Sequence, residues 1–158
     1  MSFNHFDKKG QAIMVDVSGK EPTMRTAVAM AKVCLKPETL AAILEGRMTK
    51  GDVLGVARLA GIAAAKKTPD LIPLSHPLAI HHTAIEFFPD PNTGTVRVEG
   101  TVRAFERTGV EMEAMVAATV AALTIYDMCK GTDKGITIHE VALVSKEGGK
   151  SGAYRRHV

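Results

Sequence analysis

Residues 109–130 read GVEMEAMVAATVAALTIYDMCK, a long segment whose middle, from Ala114 to Tyr126, carries no charge. As a helix this segment is apolar nearly all round, so it must be buried either in a core or between subunits. Its charged residues lie only near the two ends, where burial is costly unless the charges are paired or used. Both ends are therefore candidates for a working site, through Glu111, Glu113, Asp127 and Lys130.

Alternation at period two predicts strands on both sides of this helix. Small apolar residues alternate along residues 23–35, which favours a strand although alanine is a good helix former. The segments 81–88 and 95–105 also alternate, and they flank Asp90-Pro-Asn-Thr-Gly94, which is a hairpin signal. A last strand is predicted over residues 136–145.

Two further helices are predicted between the first strand and the second, over residues 37–46 and 52–67. Pro37 suits the first turn of one helix, and Asp52 is placed to cap the other. The resulting order is strand, two helices, strand, strand, helix, strand. That order is typical of the ferredoxin-like α+β fold, in which helices pack on one face of an antiparallel sheet.

Length and composition narrow the class of protein. The 158 residues fit a single domain, with a loose N-terminal arm at residues 1–22 and a basic C-terminal tail at 146–158. The net charge of +3 suits an anionic small molecule, whereas two Tyr, five Phe and no Trp offer few stacking platforms for nucleic acid. We therefore expect no nucleic-acid partner.

Cysteine usage and hydropathy favour the cytoplasm. Cys34 and Cys129 make neither a disulfide framework nor a zinc ligand set. Residues 1–10 are polar and charged, unlike a signal peptide. No apolar run approaches the roughly 20 residues of a membrane span. The prediction is a cytoplasmic protein with no membrane partner and no metal site.

The segment Lys146-Glu-Gly-Gly-Lys-Ser151 has part of the pattern of a phosphate-binding loop. Val144 stands where the pattern needs a second glycine, and only eight residues follow Lys150, too few for the helix that the motif uses. This excludes an NTPase of that type. Lys146 and Lys150 are then either phosphate ligands or part of a solvated tail.

Residues 68–78 hold three prolines and predict a stiff connector. His76 precedes Pro77, which steers its backbone to an extended conformation and presents the imidazole with little freedom. His76 is either an acid or base near neutral pH or a structural histidine. Lys50, beside the flexible Gly51, is likewise either a site residue or a solvated loop lysine.

The spacing of charges along the long helix bears on where a site can form. Asp127 and Lys130 are three residues apart and can pair, as a structural ion pair or as an acid/base couple. Glu113 lies about 21 Å from Asp127 along the helix axis, so one small site cannot use both ends. An antiparallel copy of the helix from a second subunit would bring one end beside the other, which predicts a site at a subunit interface.

Several segments match one known family, in order, from about Met14 to Gly152: KGDV (50–53), ARLAGI (57–62), AAKKT (64–68), DLIPLSHPL (70–78), TGVEMEA (108–114), AALTIYDMCK (121–130) and GGKSG (148–152). Together they closely resemble the molybdenum cofactor biosynthesis protein C family, the cyclic pyranopterin monophosphate synthases. The resemblance implies a lyase that converts (8S)-3',8-cyclo-7,8-dihydroguanosine 5'-triphosphate to cyclic pyranopterin monophosphate and releases pyrophosphate. It also implies a ferredoxin-like homohexamer, a trimer of dimers, with its sites between subunits.

The resemblance further implies which residues form the site. The catalytic group is the residue matching Asp127, and we add Lys50 and Lys130 to it. Relatives often have Cys where this chain has Ser75, which argues against a required thiol nucleophile there. No cofactor is implied; Mg²⁺ can accompany the released pyrophosphate, although the sequence shows no carboxylate cluster to hold it. The implied substrate contacts are Leu74, Ser75, His76, Met112, Glu113, Lys66, Lys146 and Arg25.

Two other classes of function compete with this one. A cyclohydrolase acting on ordinary GTP would usually recruit a metal held by Cys and His, and the sequence offers no such set. A ferredoxin-like module that binds nucleotides or RNA would use the lysines as phosphate contacts without catalysis. The shortage of stacking aromatics and the acidic groups at both helix ends disfavour that module.

Overall fold

The computed structural model describes residues 5–157, so residues 1–4 of the predicted N-terminal arm and Val158 lie outside the described residues. The described residues form five strands and four helices. In chain order these are β1 (Thr23–Cys34), α1 (Pro37–Leu44), α2 (Val53–Ala65), α3 (Thr68–Leu71), β2 (His82–Asp90), β3 (Thr95–Glu106), α4 (Glu111–Cys129), β4 (Thr137–Glu147) and β5 (Tyr154–Arg155).

The strands make one antiparallel sheet in the order β2-β3-β1-β4-β5. β2 and β3 form the predicted hairpin, and Asp90 opposite Thr95 is the last residue pair before the turn. β1 lies in the middle and pairs along its length with β3, from Thr23 opposite Glu106 to Cys34 opposite Thr95. The prediction of an α+β chain built on an antiparallel sheet is confirmed.

The predicted alternation separates the two faces of the sheet. Ala27, Ala29, Ala31 and Val33 of β1 are fully buried, and the residues between them are mostly half-buried. In β3 the same pattern holds, and its buried face consists of Val96, Val98, Gly100, Val102 and Ala104. α4 packs on the buried face across β1, β3 and β4, and α2 packs beside α4 and against β2.

Small residues let α4 approach its neighbours closely. A Cβ atom placed on Gly100 of β3 would lie 2.9 Å from the carbonyl oxygen of Ala114, and one on Gly61 of α2 would lie 2.8 Å from that of Ala117. Such distances are shorter than real Cβ contacts, so both glycines are needed for the backbones to meet. The sheet, α4 and α2 therefore fit together through backbone more than through large side chains.

The apolar middle of α4 is buried within the chain itself. Nine of its 19 residues are buried, against the sheet and α2. By length and composition alone α4 is long and apolar enough to cross a membrane, which corrects the expectation that no apolar run approaches that length. Half of its most apolar window is buried inside the fold, as expected for a core helix.

Two short elements were not predicted from the sequence. α3 adds one helical turn to the connector, where the Thr68 hydroxyl donates to the carbonyl of Ala65 at 2.9 Å. β5 turns part of the basic tail back onto β4, with Tyr154 opposite Lys146 and Arg155 opposite Ser145. Both elements are too short to show a hydrophobic period, so the sequence pattern did not reveal them.

Two aspartates fix helix starts in different ways. Asp52 caps α2 as predicted, because its Oδ1 accepts a hydrogen bond from the Gly55 N–H at 2.9 Å. Asp133 is 1% exposed and reaches the start of α1 from far along the chain. Its Oδ2 accepts from the Lys36 N–H at 2.9 Å, and its Oδ1 accepts from the Gly135 N–H at 3.0 Å.

Candidate active site

Two adjoining cavities open beside the first turn of α4. One has a volume of about 660 Å³ and the other about 360 Å³. They share a wall formed by Lys20, Thr108, Gly109 and Glu111. The two cavities are therefore immediate neighbours.

The larger cavity is lined by five cationic residues, which come from the N-terminal arm, β1, the loop after β3, β4 and the loop after β4. They are Lys20, Arg25, Arg107, Lys146 and Lys150. One of them is already paired, since Lys146 Nζ lies 2.8 Å from Oε1 of Glu111. An excess of cations of this kind in a concave site suits a polyphosphate.

Arg25 is held in place by main-chain carbonyls. Its Nε donates to the carbonyl oxygen of Glu106 at 3.1 Å, and one terminal nitrogen donates to that of Arg107 at 3.3 Å. The guanidinium has five N–H groups in a fixed plane, so donors remain for a bound anion.

The smaller cavity is lined by Leu74, Ser75 and His76, which lie in the connector after α3. His76 Nε2 lies 2.7 Å from the carbonyl oxygen of Val15 in the N-terminal arm. A carbonyl can only accept, so Nε2 donates and Nδ1 is the acceptor of the neutral ring. The Ser75 hydroxyl donates to the carbonyl of Ile72 at 3.0 Å, as expected for a residue that shapes a turn.

Glu113 and Met112 enter the same cavity from the first turn of α4. Glu113 is only 3% exposed, and burial raises the pKa of its carboxyl to about 7, with a smaller contribution from the nearby Glu111 carboxylate. A carboxyl that titrates near neutral pH can both give and take a proton under working conditions. Sequence reasoning identified Glu113 as a substrate contact, but it could not show this burial.

A second cluster lies at the opposite end of α4, on the open surface. Lys130 Nζ is 2.6 Å from Oδ1 of Asp127, and Lys50 Nζ is 3.6 Å from Oδ2 of the same carboxylate. The hydrogen bond from Lys130 holds the pKa of Asp127 below its usual range, and the charges of Lys130 and Lys50 lower it further. The same contact raises the pKa of Lys130. At neutral pH this cluster is therefore one carboxylate between two ammonium groups.

The structure thus gathers the predicted site residues into three groups. The smaller cavity is lined by Leu74, Ser75, His76, Met112 and Glu113, and the larger one by Arg25 and Lys146. The distant cluster consists of Lys50, Asp127 and Lys130. Lys66 belongs to none of the three, because it is the exposed C-cap residue of α2 and lines neither cavity. The predicted pairing of Asp127 with Lys130 is confirmed.

The predicted site residues leave out several polar residues that line the cavities, among them Lys20, Arg107, Thr108, Glu111 and Lys150. Lys150 was noted as a possible phosphate ligand, and Glu111 as a charge at the helix start. Lys20 and Thr108 each stand next to a glycine, Gly19 and Gly109, which is a weak signal of a loop at a binding site.

Within residues 5–157 no group of three or more His, Cys, Asp or Glu side chains could hold a metal ion. The expectation of a reaction without a resident metal therefore stays a prediction. Mg²⁺ bound to pyrophosphate would come with the ligand and would not need such a group.

Comparison of the sequence with known proteins identifies a family. Residues 14–149 match the model of the MoaC family. The chain is 81% identical to the cyclic pyranopterin monophosphate synthase of Geotalea uraniireducens (strain Rf4), over 99% of this chain and 98% of that protein. It is 75% identical, over the same shares, to the enzyme of that name from Geobacter metallireducens. It is 55% identical, over 96% of each chain, to the one from Desulfatibacillum aliphaticivorans.

Proposed function

This chain belongs to the MoaC family, and we propose that it catalyses the reaction for which its relatives are named, the formation of cyclic pyranopterin monophosphate. The substrate is (8S)-3',8-cyclo-7,8-dihydroguanosine 5'-triphosphate, and the second product is pyrophosphate. The reaction is a lyase step in the biosynthesis of the molybdenum cofactor.

One observation supports this proposal most strongly, namely the pair of cavities at the start of α4. The larger cavity offers cations on several elements, and the smaller one offers Glu113 and His76. A nucleotide triphosphate needs both kinds of environment, cations for its phosphates and groups that exchange protons for its ring system. We propose that one substrate molecule spans the two cavities across the lining that they share at Glu111.

The groups present suit both parts of the reaction. Opening and re-closing of the purine ring requires protons to move to and from ring and ribose atoms, and Glu113 titrates in the range where such transfers are efficient. The cyclic phosphate forms when a ribose oxygen attacks the α-phosphorus and the bond to the pyrophosphate leaving group breaks. Lys146 and Arg25 would neutralise the charge that accumulates on that leaving group.

We also propose that Asp127, Lys50 and Lys130 act in this site although one chain holds them far from the cavities. Their cluster is about half exposed and charged, and Glu113 is about 21 Å away along α4. A second copy of the chain would have to bring its cluster to the cavities. This requirement supports a homo-oligomer, and we propose the homohexamer, a trimer of dimers, with Lys66 also contributing across the boundary.

Three further assignments rest on the family resemblance, and they too are proposals. We propose that the sheet and helices form the ferredoxin-like arrangement, that the enzyme works in the cytoplasm, and that it has no resident cofactor. The partners would then be the nucleotide substrate and further copies of this chain, with no nucleic acid and no membrane.

The test is an assay with purified protein and the cyclised dihydro-GTP, following pyrophosphate and the fluorescence of the oxidised pterin product. We expect both products in equal amounts, and neither from ordinary GTP. Turnover of GTP instead would favour a cyclohydrolase, and tight binding of both nucleotides with no product would favour a binding module. A chelator added at a fixed pyrophosphate concentration reports whether Mg²⁺ affects the chemistry or only product release.

A further inference from the structure

Two adjacent glycines in the loop between β4 and β5 pack against β1 at the larger cavity. Gly148 and Gly149 have φ values of +96° and +77°, in the left-handed region that favours glycine. A Cβ on Gly148 would collide with the carbonyl oxygen of Met24. A Cβ on Gly149 would instead collide with the guanidinium of Arg25, at 2.6 Å from its Cζ. The Cβ on Gly148 would also lie 3.3 Å from Cδ of Arg25, but its collision is with the main chain, whereas the collision at Gly149 is with the Arg25 guanidinium itself.

The Arg25 guanidinium is therefore confined on two sides. Its edge is held by the carbonyls of Glu106 and Arg107, and its end lies against the backbone of Gly149. An arginine side chain normally samples many rotamers, and fixing one of them in advance lowers the entropy lost when an anion binds. A methyl group at residue 149 would take the space that this rotamer occupies.

We infer that Gly149 is a positioning residue for the phosphate-binding side of the cavity, and that it acts through Arg25. The inference rests on the proposed function, which makes this side the place of the triphosphate, and it adds a residue outside the set assigned from the family. The absence of a side chain at 149 keeps the Arg25 guanidinium directed into the cavity, so that Gly149 sets affinity for phosphate groups without touching the reacting atoms.

The hairpin that carries Gly149 provides a matched control. Gly152 lies in the same loop with φ +73°, and a Cβ placed there meets nothing within 4 Å. Replacing either glycine by alanine imposes similar backbone strain, because the two φ values differ by only a few degrees. Gly149→Ala alone adds a collision with Arg25, and Gly152 does not line either cavity.

The experiment is a double-mutant cycle read by calorimetric binding of inorganic tripolyphosphate to the full-length oligomer. We expect Gly149→Ala to weaken binding by about 10-fold or more, as for loss of a charge-assisted contact, and Gly152→Ala to leave it unchanged. In an Arg25→Ala background, Gly149→Ala should have almost no further effect, because the group it displaces is gone. In turnover, Gly149→Ala should raise KM more than it lowers kcat.

Additive effects of Gly149→Ala and Arg25→Ala, or equal losses in Gly149→Ala and Gly152→Ala, would overturn the inference, since both outcomes mean that the glycine acts through the backbone alone. Comparing Arg25→Lys with Arg25→Ala shows whether tripolyphosphate binding depends on the planar guanidinium group or only on its positive charge. Because binding is measured without turnover, the two proposals can fail separately. If the two substitutions are coupled in binding but no product forms, the proposed function is refuted and the positioning role of Gly149 stands. If product forms but the substitutions are not coupled, the positioning role is refuted and the proposed function stands.

Discussion

Lys50 Nζ lies 2.8 Å from the main-chain carbonyl oxygen of Asp127 and 3.6 Å from its Oδ2, so one lysine contacts both the last turn of α4 and the carboxylate that this turn carries. The lysine comes from the loop between α1 and α2. A cation at the C-terminal end of a helix is favoured by the free carbonyls there. The contact therefore fixes the position of Asp127 relative to α2 within a single chain.

Asp127→Asn should abolish most of the turnover while leaving the fold intact. The substitution removes the negative charge that Lys50 and Lys130 flank, but the side chain is exposed and an amide can keep one hydrogen bond. We expect kcat to fall by roughly 100-fold or more, as for loss of an acid/base group, with an unchanged melting temperature. Lys36→Ala, at an exposed lysine outside the cluster, is the control and should keep normal turnover. An Asp127→Asn enzyme with normal kcat would remove Asp127 from the chemistry.

Glu113 should make stability depend on pH in an unusual direction for a carboxyl. Its pKa is raised from an ordinary 4.5 to about 7, so between these values the folded state holds a proton that the unfolded state has lost. The contribution of Glu113 to the free energy of unfolding therefore decreases as pH rises from about 4.5 to about 7 and is constant above that. Denaturant unfolding at several pH values, compared between the unaltered chain and Glu113→Gln, measures it. A difference between the two proteins that does not vary with pH would show that the carboxyl is not perturbed.

Mixing two inactive variants should restore activity if the site forms between subunits. Glu113→Gln chains retain Asp127, and Asp127→Asn chains retain Glu113, so by random assortment about a quarter of the sites become complete. Activity after co-refolding, relative to each variant refolded alone, is the measurement.

A second mixture tests the geometry behind that result. Lys50 and Asp127 contact each other within one chain, so Lys50→Ala mixed with Asp127→Asn leaves every cluster incomplete. We expect no recovery from this pair. Recovery in both mixtures, or in neither, would contradict a site that takes Glu113 from one chain and the Asp127 cluster from the next.

Asp133→Ala should destabilise the fold more than Asp52→Ala, although both aspartates cap helices. Asp133 is buried, and its loss leaves the N–H groups of Lys36 and Gly135 without their acceptor, which we expect to cost about 2–4 kcal/mol. Asp52 is exposed, so water can replace it, and the expected cost is about 1 kcal/mol. Urea unfolding of both variants gives the comparison. An equal loss in the free energy of unfolding for both variants would mean that the burial of Asp133 does not add to stability.

Local patterns were enough to predict every element except the short α3 and β5, but not most of the contacts between the elements. The alternation in β1, the hairpin turn at 91–94 and the pairing of Asp127 with Lys130 are each set by residues a few positions apart, and the structure has all three. The carbonyl of Val15 that orients His76 is 61 residues away in the chain, and it belongs to the backbone, which carries no sequence signal.

The burial of Glu113 and the contact of Arg25 with Gly149 were likewise not predictable from the sequence. Each depends on how separate segments meet in the fold, and neither shows in hydrophobic period or turn chemistry. The apolar segment at 109–130 admitted two interpretations for a related reason, since periodicity shows that a helix is buried but not what covers it. Within the described residues, most of that cover is the sheet and α2.

The close approach of α4 to the sheet and to α2 also has a consequence for how this chain can evolve. The contact is lined by glycine and alanine, including Gly61, Gly100, Ala114 and Ala117. Such positions have almost no volume to lose, so truncation, the usual way to damage a core of large side chains, does little here. Added volume is what they cannot accept. Selection on this part of the family would then act as an upper limit on side-chain size, and drift would be confined to exchanges among the smallest residues.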